Sequence, residues 1–368
     1  MTESATQDGE MTMRSRRYRT PAHRSQILAL AAAALLAGAG HAAAPASARA
    51  AASPARRGPN LGQAAPTATP EIFAPGFVST DLCERDITFS PDGQEIYWTI
   101  QGGGSYEDWY AAIVVSRQEN GRWTAPRVAP FSGRYNDVEP SIAPDGRRLY
   151  FSSNRPLAGT GDPKKDYDIW YVERTSAGWG EPQSLGPPVN TDKDEFYPSL
   201  TRDGTLYLTA AYAGIPGREG IFRSRQVDGR FSQPEGLGDS VNTKRGEYNA
   251  LVAPDESFLV FGRSGEMFVC FRRDDGSWTS ARHLEGGFDS PNLDYCPALS
   301  PDGKCFFFTS TRPPGIEYAR VPPGFETLLA QVPDPHRQKM LRVRLMAYED
   351  LYWVKSDFLE ALRREALR

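Results

Sequence analysis

The sequence predicts an all-β protein, a five-bladed β-propeller of four-stranded antiparallel blades. Three observations predict it. A Pro-Asp-Gly type turn recurs five times, at Ser90-Pro91-Asp92-Gly93, Ala143-Pro144-Asp145-Gly146, Thr201-Arg202-Asp203-Gly204, Ala253-Pro254-Asp255-Glu256 and Ser300-Pro301-Asp302-Gly303, with the aspartates 53, 58, 52 and 47 residues apart. Each turn is followed by a short apolar strand rich in aromatics: EIYWT, RLYFSS, TLYLTA, FLVFG and CFFFTS. Such near-continuous apolar runs suit a sheet covered on both faces. Third, four of the repeats end alike, with a tight glycine turn and a strand led by Trp123, Trp179, Phe231 or Trp278. A four-stranded unit of about 50 residues cannot cover its own two faces, so copies must stack around a ring.

Each element has a local reason. In the turns Pro presets φ, Asp suits the next position, and Gly takes the left-handed conformation that closes the hairpin. Arg202 replaces Pro in the third copy and Glu256 replaces Gly in the fourth, so those turns should be less ideal. The third strands run through Trp109-Tyr110, Ile169-Trp170-Tyr171, Ile221-Phe222, Met267-Phe268-Val269 and Leu351-Tyr352-Trp353-Val354. The fifth copy supplies only three strands before the chain ends. Its fourth is expected from the other end, where residues 71–76 (EIFAPG) resemble the Trp-x-x-Pro strand of the other repeats. That strand should close the ring.

The flanks read differently. Arg14, Arg16, Arg17, Arg19 and Arg24 precede an uncharged apolar run at 27–40, followed by Ala46-Ser47-Ala48. That is the order of a cleaved secretory signal peptide, residues 1–48. The run falls short of the roughly 20 residues that span a bilayer. Residues 49–70 are rich in Ala and Pro and read as a disordered linker. The propeller is expected over 71–368, with an inserted loop at about 313–348 and a C-terminal helix. Ser356 is placed to cap that helix, which carries an apolar stripe of Phe358, Leu359, Leu362 and Leu367.

The repeats resemble the WD40-like (Pro-Asp repeat) β-propeller family of the TolB type, in which Ser-Pro-Asp-Gly turns and Ser-Asn-Arg-Pro segments are characteristic. Ser153-Asn154-Arg155-Pro156 and Ser310-Thr311-Arg312-Pro313 match the latter. The resemblance covers roughly 71–354 and implies a periplasmic binding protein. The chain departs from TolB in having five repeats rather than six.

Composition narrows the function classes. The chain has 42 basic and 46 acidic residues, a net charge of −4, and no Lys/Arg run. It is a poor candidate for nucleic acid or an anionic membrane surface. Beyond the signal segment only His283 and His336 remain, which excludes a multi-histidine zinc site. No nucleophile elbow, H-E-x-x-H or phosphate-binding loop follows a suitable strand. Cys83, Cys270, Cys296 and Cys305 match no zinc spacing. Ring closure would make Cys83 and Cys296 neighbours, which leaves a disulfide or buried thiols as the alternatives.

In a blade the first-to-second and third-to-fourth connections lie on one side, and the others on the opposite side. The first set is tight. The second holds the long loops at 101–108, 154–168 and 211–220, and long loops on a rigid scaffold are where binding groups are usually placed. That face also carries an acid before each innermost strand: Glu84 and Asp86, Asp137 and Glu139, Asp194 and Glu195, Glu247, and Asp294, with Tyr197, Tyr248 and Tyr295 following in three copies. These, with Arg155 and Arg312, are the candidate ligand-binding residues at the channel mouth. Each acid has a structural alternative as a loop cap or arginine partner. A hard cation such as Ca²⁺ takes oxygen ligands, but no Asp-x-Asp-x-Asp-Gly loop supports one, so no cofactor is expected. The expected function is an exported, monomeric, non-catalytic binding or scaffold module, periplasmic or secreted, for a protein or envelope glycan through the long-loop face. The alternative is a carbohydrate-active enzyme, glycoside hydrolase or lyase, using Asp137, Glu139, Asp194 or Glu247.

Overall fold

A computed structural model describes residues 56–105, 108–164, 166–214, 219–288, 290–316, 324–343 and 348–368. The expected signal peptide and the first part of the linker lie outside them. The described residues form five antiparallel blades. The first contains Cys83–Phe89, Glu95–Ser105 and Asp108–Glu119, with Arg122–Trp123 and Arg127–Val128 on its outer edge. The second contains Asp137–Ile142, Arg148–Ser153 and Asp168–Thr175, edged by Gly178–Trp179 and Gln183–Ser184. The third is Glu195–Leu200, Leu206–Ala210, Gly220–Ser224 and Glu235–Gly236, and the fourth Glu247–Val252, Phe258–Arg263, Glu266–Phe271 and Arg282–His283. The fifth is Asp294–Leu299, Cys305–Ser310 and Asp350–Lys355, completed by Glu71–Ile72. Glu71 pairs with Trp353 and Ile72 with Tyr352. The N-terminal strand therefore closes the ring.

The apolar runs are accounted for by the spaces between blades. Between the first and second blades Tyr97, Phe131, Phe151 and Trp170 are buried together, and equivalent clusters fill the other gaps. At the closing gap Phe73 is fully buried against Phe307 and Trp353, with ring centroids 5.0 Å from each. Burial of this kind contributes about 1.5–3 kcal/mol per large apolar side chain. It makes ring closure a packing event as much as a hydrogen-bonding one.

Three short helices follow the fifth blade's second strand: α1 Phe325–Leu329, α2 Pro335–Met340 and α3 Asp357–Ala366. Phe325, Leu328, Leu329 and Met340 extend the core of the closing gap, so the insertion is part of the packed body. Gly102 permits this: a Cβ there would come within 2.4 Å of the Met340 carbonyl oxygen. In α3, Leu359 is buried and Phe358 packs on Phe288 and Phe306, while Leu367 is exposed. Ser356 does not cap the helix. Its Oγ donates to the Gly303 carbonyl at 2.5 Å, tying the helix start to the fifth Pro-Asp-Gly turn.

One further expectation differs from the structure. Residues 56–70, read as disordered, lie against the propeller. Leu61 is buried in the core, Trp123 Nε1 donates to Gly58 O at 2.9 Å, and Gln63 Nε2 donates to Ile72 O at 2.9 Å. One apolar anchor and a few hydrogen bonds suffice where composition alone argues for none. The four cysteines are buried thiols, and the Cys83–Cys296 bond is not formed.

The two irregular turns are also explained. Arg202, in place of Pro, has an N–H, which donates to the Pro254 carbonyl of the neighbouring turn at 2.8 Å. Glu256, in place of Gly, takes the left-handed conformation at φ 60°.

Candidate functional site

The recurring acids are anchors of the long loops. Glu195 accepts from Thr191 N at 3.0 Å and Thr191 Oγ1 at 2.5 Å, and Glu247 accepts from Thr243 N and Oγ1 at 2.7 and 2.6 Å. Glu84 repeats this with Thr80. Asp137 accepts from Ser132, Ser153 and Arg155, and Asp294 from Ser290, Ser310 and Arg312. Arg263 serves Glu247 as Arg155 and Arg312 serve their aspartates, at 2.8 Å. Each of these five carboxylates is at most 1% exposed. Asp194 accepts from Tyr167 N at 2.9 Å, and Tyr248 OH accepts from Gly265 N at 2.8 Å. Burial pushes Glu195 up to about 8. The long-loop end thus presents its acids inward, as ties between chain segments.

A second register lies two residues further on. Asp86, Glu139, Tyr197, Asn249 and Cys296 occupy one equivalent position in the five innermost strands, and all five are left-handed, with φ between 51° and 60°. Every innermost strand has a register irregularity there. A bulge re-aims a side chain, here toward the propeller axis. Left-handed backbone at non-glycine residues costs about 1 kcal/mol or more apiece, so five copies mark a feature held by its surroundings.

Arg85 crosses this ring. Its Nε lies 2.7 Å from Asp86 Oδ2, and its Nη2 lies 2.9 Å from Glu139 Oε1 and 3.4 Å from Cys296 Sγ. The guanidinium stacks 5.3 Å from the Tyr295 ring centroid. Glu139 Oε2 accepts from Ser152 Oγ at 2.8 Å and Tyr197 N at 2.7 Å, so both its oxygens are engaged. Tyr197 OH donates across the axis to the Pro297 carbonyl at 3.0 Å. Behind Arg85 lies Glu349, fully buried and accepting from Gln101 Nε2 at 2.5 Å and from Tyr295 OH. Burial pushes Glu139 and Glu349 each up to about 7, with Arg85 opposing the rise. It also raises the Cys296 thiol well above its ordinary range.

The open space is on the turn side of this ring. An axial cavity of about 640 Å³ has Asp86, Glu139 and Tyr197 among its lining residues, with walls of Phe89, Ile142, Leu200, Leu251, Phe258 and Leu299. Its rim includes Arg202, Asp255, Lys304 and, from α3, Glu360 and Arg363. Asp86 Oδ2 is taken by Arg85. Asp86 Oδ1 accepts no hydrogen bond from a described N–H or O–H group, and only the weak S–H of Cys296 can turn to that carboxylate.

Of the expected site residues, Asp86, Glu139 and Tyr197 come together at the cavity. Glu84, Asp137, Asp194, Glu195, Glu247, Tyr248, Asp294, Arg155 and Arg312 do not line it, and Tyr295 reaches the assembly only through Arg85 and Glu349. Arg85, Asn249, Cys296 and Glu349 were not anticipated as site residues. The first three were within reach of repeat alignment, which puts Asn249 and Cys296 two residues after the recurring acid and Arg85 one. Glu349 had no such signal, since it ends an insertion without counterpart in the other repeats. His283 lies beside Glu266 and His336 beside Asp108, both away from the cavity. Among the described residues no three His, Cys, Asp or Glu side chains gather as metal ligands, and no helix is long and apolar enough to cross a membrane.

No protein-family model and no curated protein matches the chain. Solved structures similar in fold include a TolB-type protein from Agrobacterium tumefaciens, 18% identical over 64% of this chain and 72% of that one, with a TM-score of 0.40. An α-L-arabinofuranosidase from Lactobacillus brevis is 15% identical over 76% and 92%, at 0.43. A puromycin-hydrolysing peptidase from Mycobacterium tuberculosis is 17% identical over 62% of this chain, at 0.35, and the chain spans about a third of it. Each likeness is one of fold alone. The five-bladed propeller stands on the strand pairings themselves.

Proposed function

We propose that the chain is an exported, non-catalytic binding module of the TolB-like type, and that it receives part of an envelope protein or glycan end-on in the axial cavity of the turn face. The observation that carries this is the state of the carboxylates. Cleavage of a glycosidic bond needs two carboxyl groups facing the bond, one to donate a proton and one to act as base or nucleophile. Of the two on the cavity floor, Glu139 has both oxygens engaged by Arg85, Ser152 and the Tyr197 N–H, and Asp86 keeps one oxygen without a described N–H or O–H donor. Of the acids at the rim, Asp255 and Asp302 are held by their own turns and Glu360 by Arg364, which leaves Asp357. The expected long-loop acids are weaker candidates because loop or arginine hydrogen bonds already hold them. A rigid, walled recess with a polar floor suits recognition by shape and a few polar contacts.

The test compares the purified mature chain with Ser141→Trp, which places an indole in the cavity from a half-buried wall position. Capture of a component from envelope extract should be lost in the variant, and a panel of envelope glycans should remain uncleaved by both. Capture indifferent to Ser141→Trp, or turnover that Glu139→Gln abolishes, would overturn the proposal.

A further inference from the structure

We propose that the axial cavity is a socket for a basic side chain of a protein partner, with the cationic tip at the Asp86 carboxylate of the floor and the alkyl shank against the apolar part of the wall. The inference rests on the cavity as the binding site and adds the chemistry of what enters it.

Asp86 is 2% exposed, lines the cavity, and has one oxygen that no described N–H or O–H satisfies. A buried carboxylate oxygen without a donor is costly, and a charged donor satisfies it best. Its backbone is left-handed at φ 58°, a conformation that serves to aim the side chain at the axis. The floor also has the right sign. Asp86 and Glu139 on the floor, with Glu349 behind them, surround the single guanidinium of Arg85.

The walls select within the cations. Phe89, Ile142, Leu200, Leu251, Phe258 and Leu299 offer apolar surface above the polar floor, interleaved with Thr88, Ser141 and Ser199. That division matches a lysine or arginine side chain, which buries its methylenes and keeps a charged head among polar groups. A metal ion such as Ca²⁺ needs six to eight oxygens, whereas Glu139 already spends both of its own on protein donors.

The experiment is titration of the mature chain with the tripeptide Ac-Gly-Arg-Gly-NH₂, followed by methyl NMR of the wall residues Ile142, Leu200, Leu251 and Leu299. The arms are its lysine analogue, its neutral citrulline isostere, and glucosamine as a cationic sugar. Arginine or lysine peptide should shift the wall methyls, the citrulline peptide should bind at least about tenfold more weakly, and glucosamine should not compete. Asp86→Asn should weaken the charged peptides by at least about tenfold and leave the citrulline peptide unchanged. Equal binding of arginine and citrulline peptides, tighter binding of glucosamine, or indifference to Asp86→Asn would each overturn the socket. Envelope capture lost in Ser141→Trp but intact in Asp86→Asn would refute the cationic tip alone, leaving the cavity as the site. Capture unaffected by Ser141→Trp would refute the cavity itself.

Discussion

Arg85 Nη2 lies 2.9 Å from Glu139 Oε1, joining the innermost strand of the first blade to that of the neighbouring second blade. Both side chains are under 10% exposed, and the same guanidinium holds Asp86 at 2.7 Å. One cation thus compensates carboxylates from two blades.

Removing that cation should be expensive. Arg85→Met keeps much of the volume but leaves Glu139 and Asp86 without their partner, and an uncompensated buried charge costs about 3–5 kcal/mol. Urea denaturation should show a loss of that order. A loss under about 1 kcal/mol would mean that the network contributes no more than a surface ion pair.

Ring closure should depend on Phe73. It is fully buried between Phe307 and Trp353, and its N–H donates to Leu351 O at 2.8 Å. Phe73→Ala removes the ring while the strand hydrogen bonds can remain, so the cost is that of a core cavity, about 3–5 kcal/mol. Proteolysis should then begin at the N-terminal strand. Unchanged stability would show that the closing gap is held by the insertion helices instead.

Glu349 should make stability fall as pH rises. Its carboxyl is raised from an ordinary 4.5 to about 7, burial being the main cause. The folded state then holds the proton more tightly than the unfolded chain does. That stabilisation is present in full below about 4.5 and is lost as pH climbs through about 7. Glu139 acts in the same direction. The turn aspartates Asp92, Asp203, Asp255 and Asp302 are shifted down, so their contribution changes below this window. Glu349→Gln should therefore shrink the difference in Tm between pH 5 and pH 8, by on the order of 5 °C. An unaltered pH dependence in the variant would remove Glu349 from the account.

Much of the fold could be read before any coordinates. The five turns, the aromatic strands and the N-terminal strand that pairs with residues 352–353 are all local patterns repeated at a near-constant interval. The long loops and the tight turns were assigned to opposite faces from strand alternation alone. What misled was the step from acidic repeat to open mouth. Glu84, Glu195 and Glu247 each sit four residues after a threonine, and Asp294 four residues after Ser290. That spacing is a visible sign of loop capping. Residues 56–70 were harder, because Leu61 is a single apolar anchor in a polar stretch.

By itself the sequence determined the repeat, the number of blades and how the ring closes, because those follow from local patterning and from apolar faces that must be covered. Only the tertiary structure decided which of the recurring polar residues reach the axis. A bulge in each innermost strand turns Asp86, Glu139, Tyr197, Asn249 and Cys296 inward, Arg85 reaches from beside Asp86 to Glu139 and Cys296, and Glu349 joins from a distant part of the chain. Repeat alignment marks the shared position of those five, but that a bulge aims it at the axis, and that Arg85 and Glu349 meet there, depends on contacts between residues far apart in the chain.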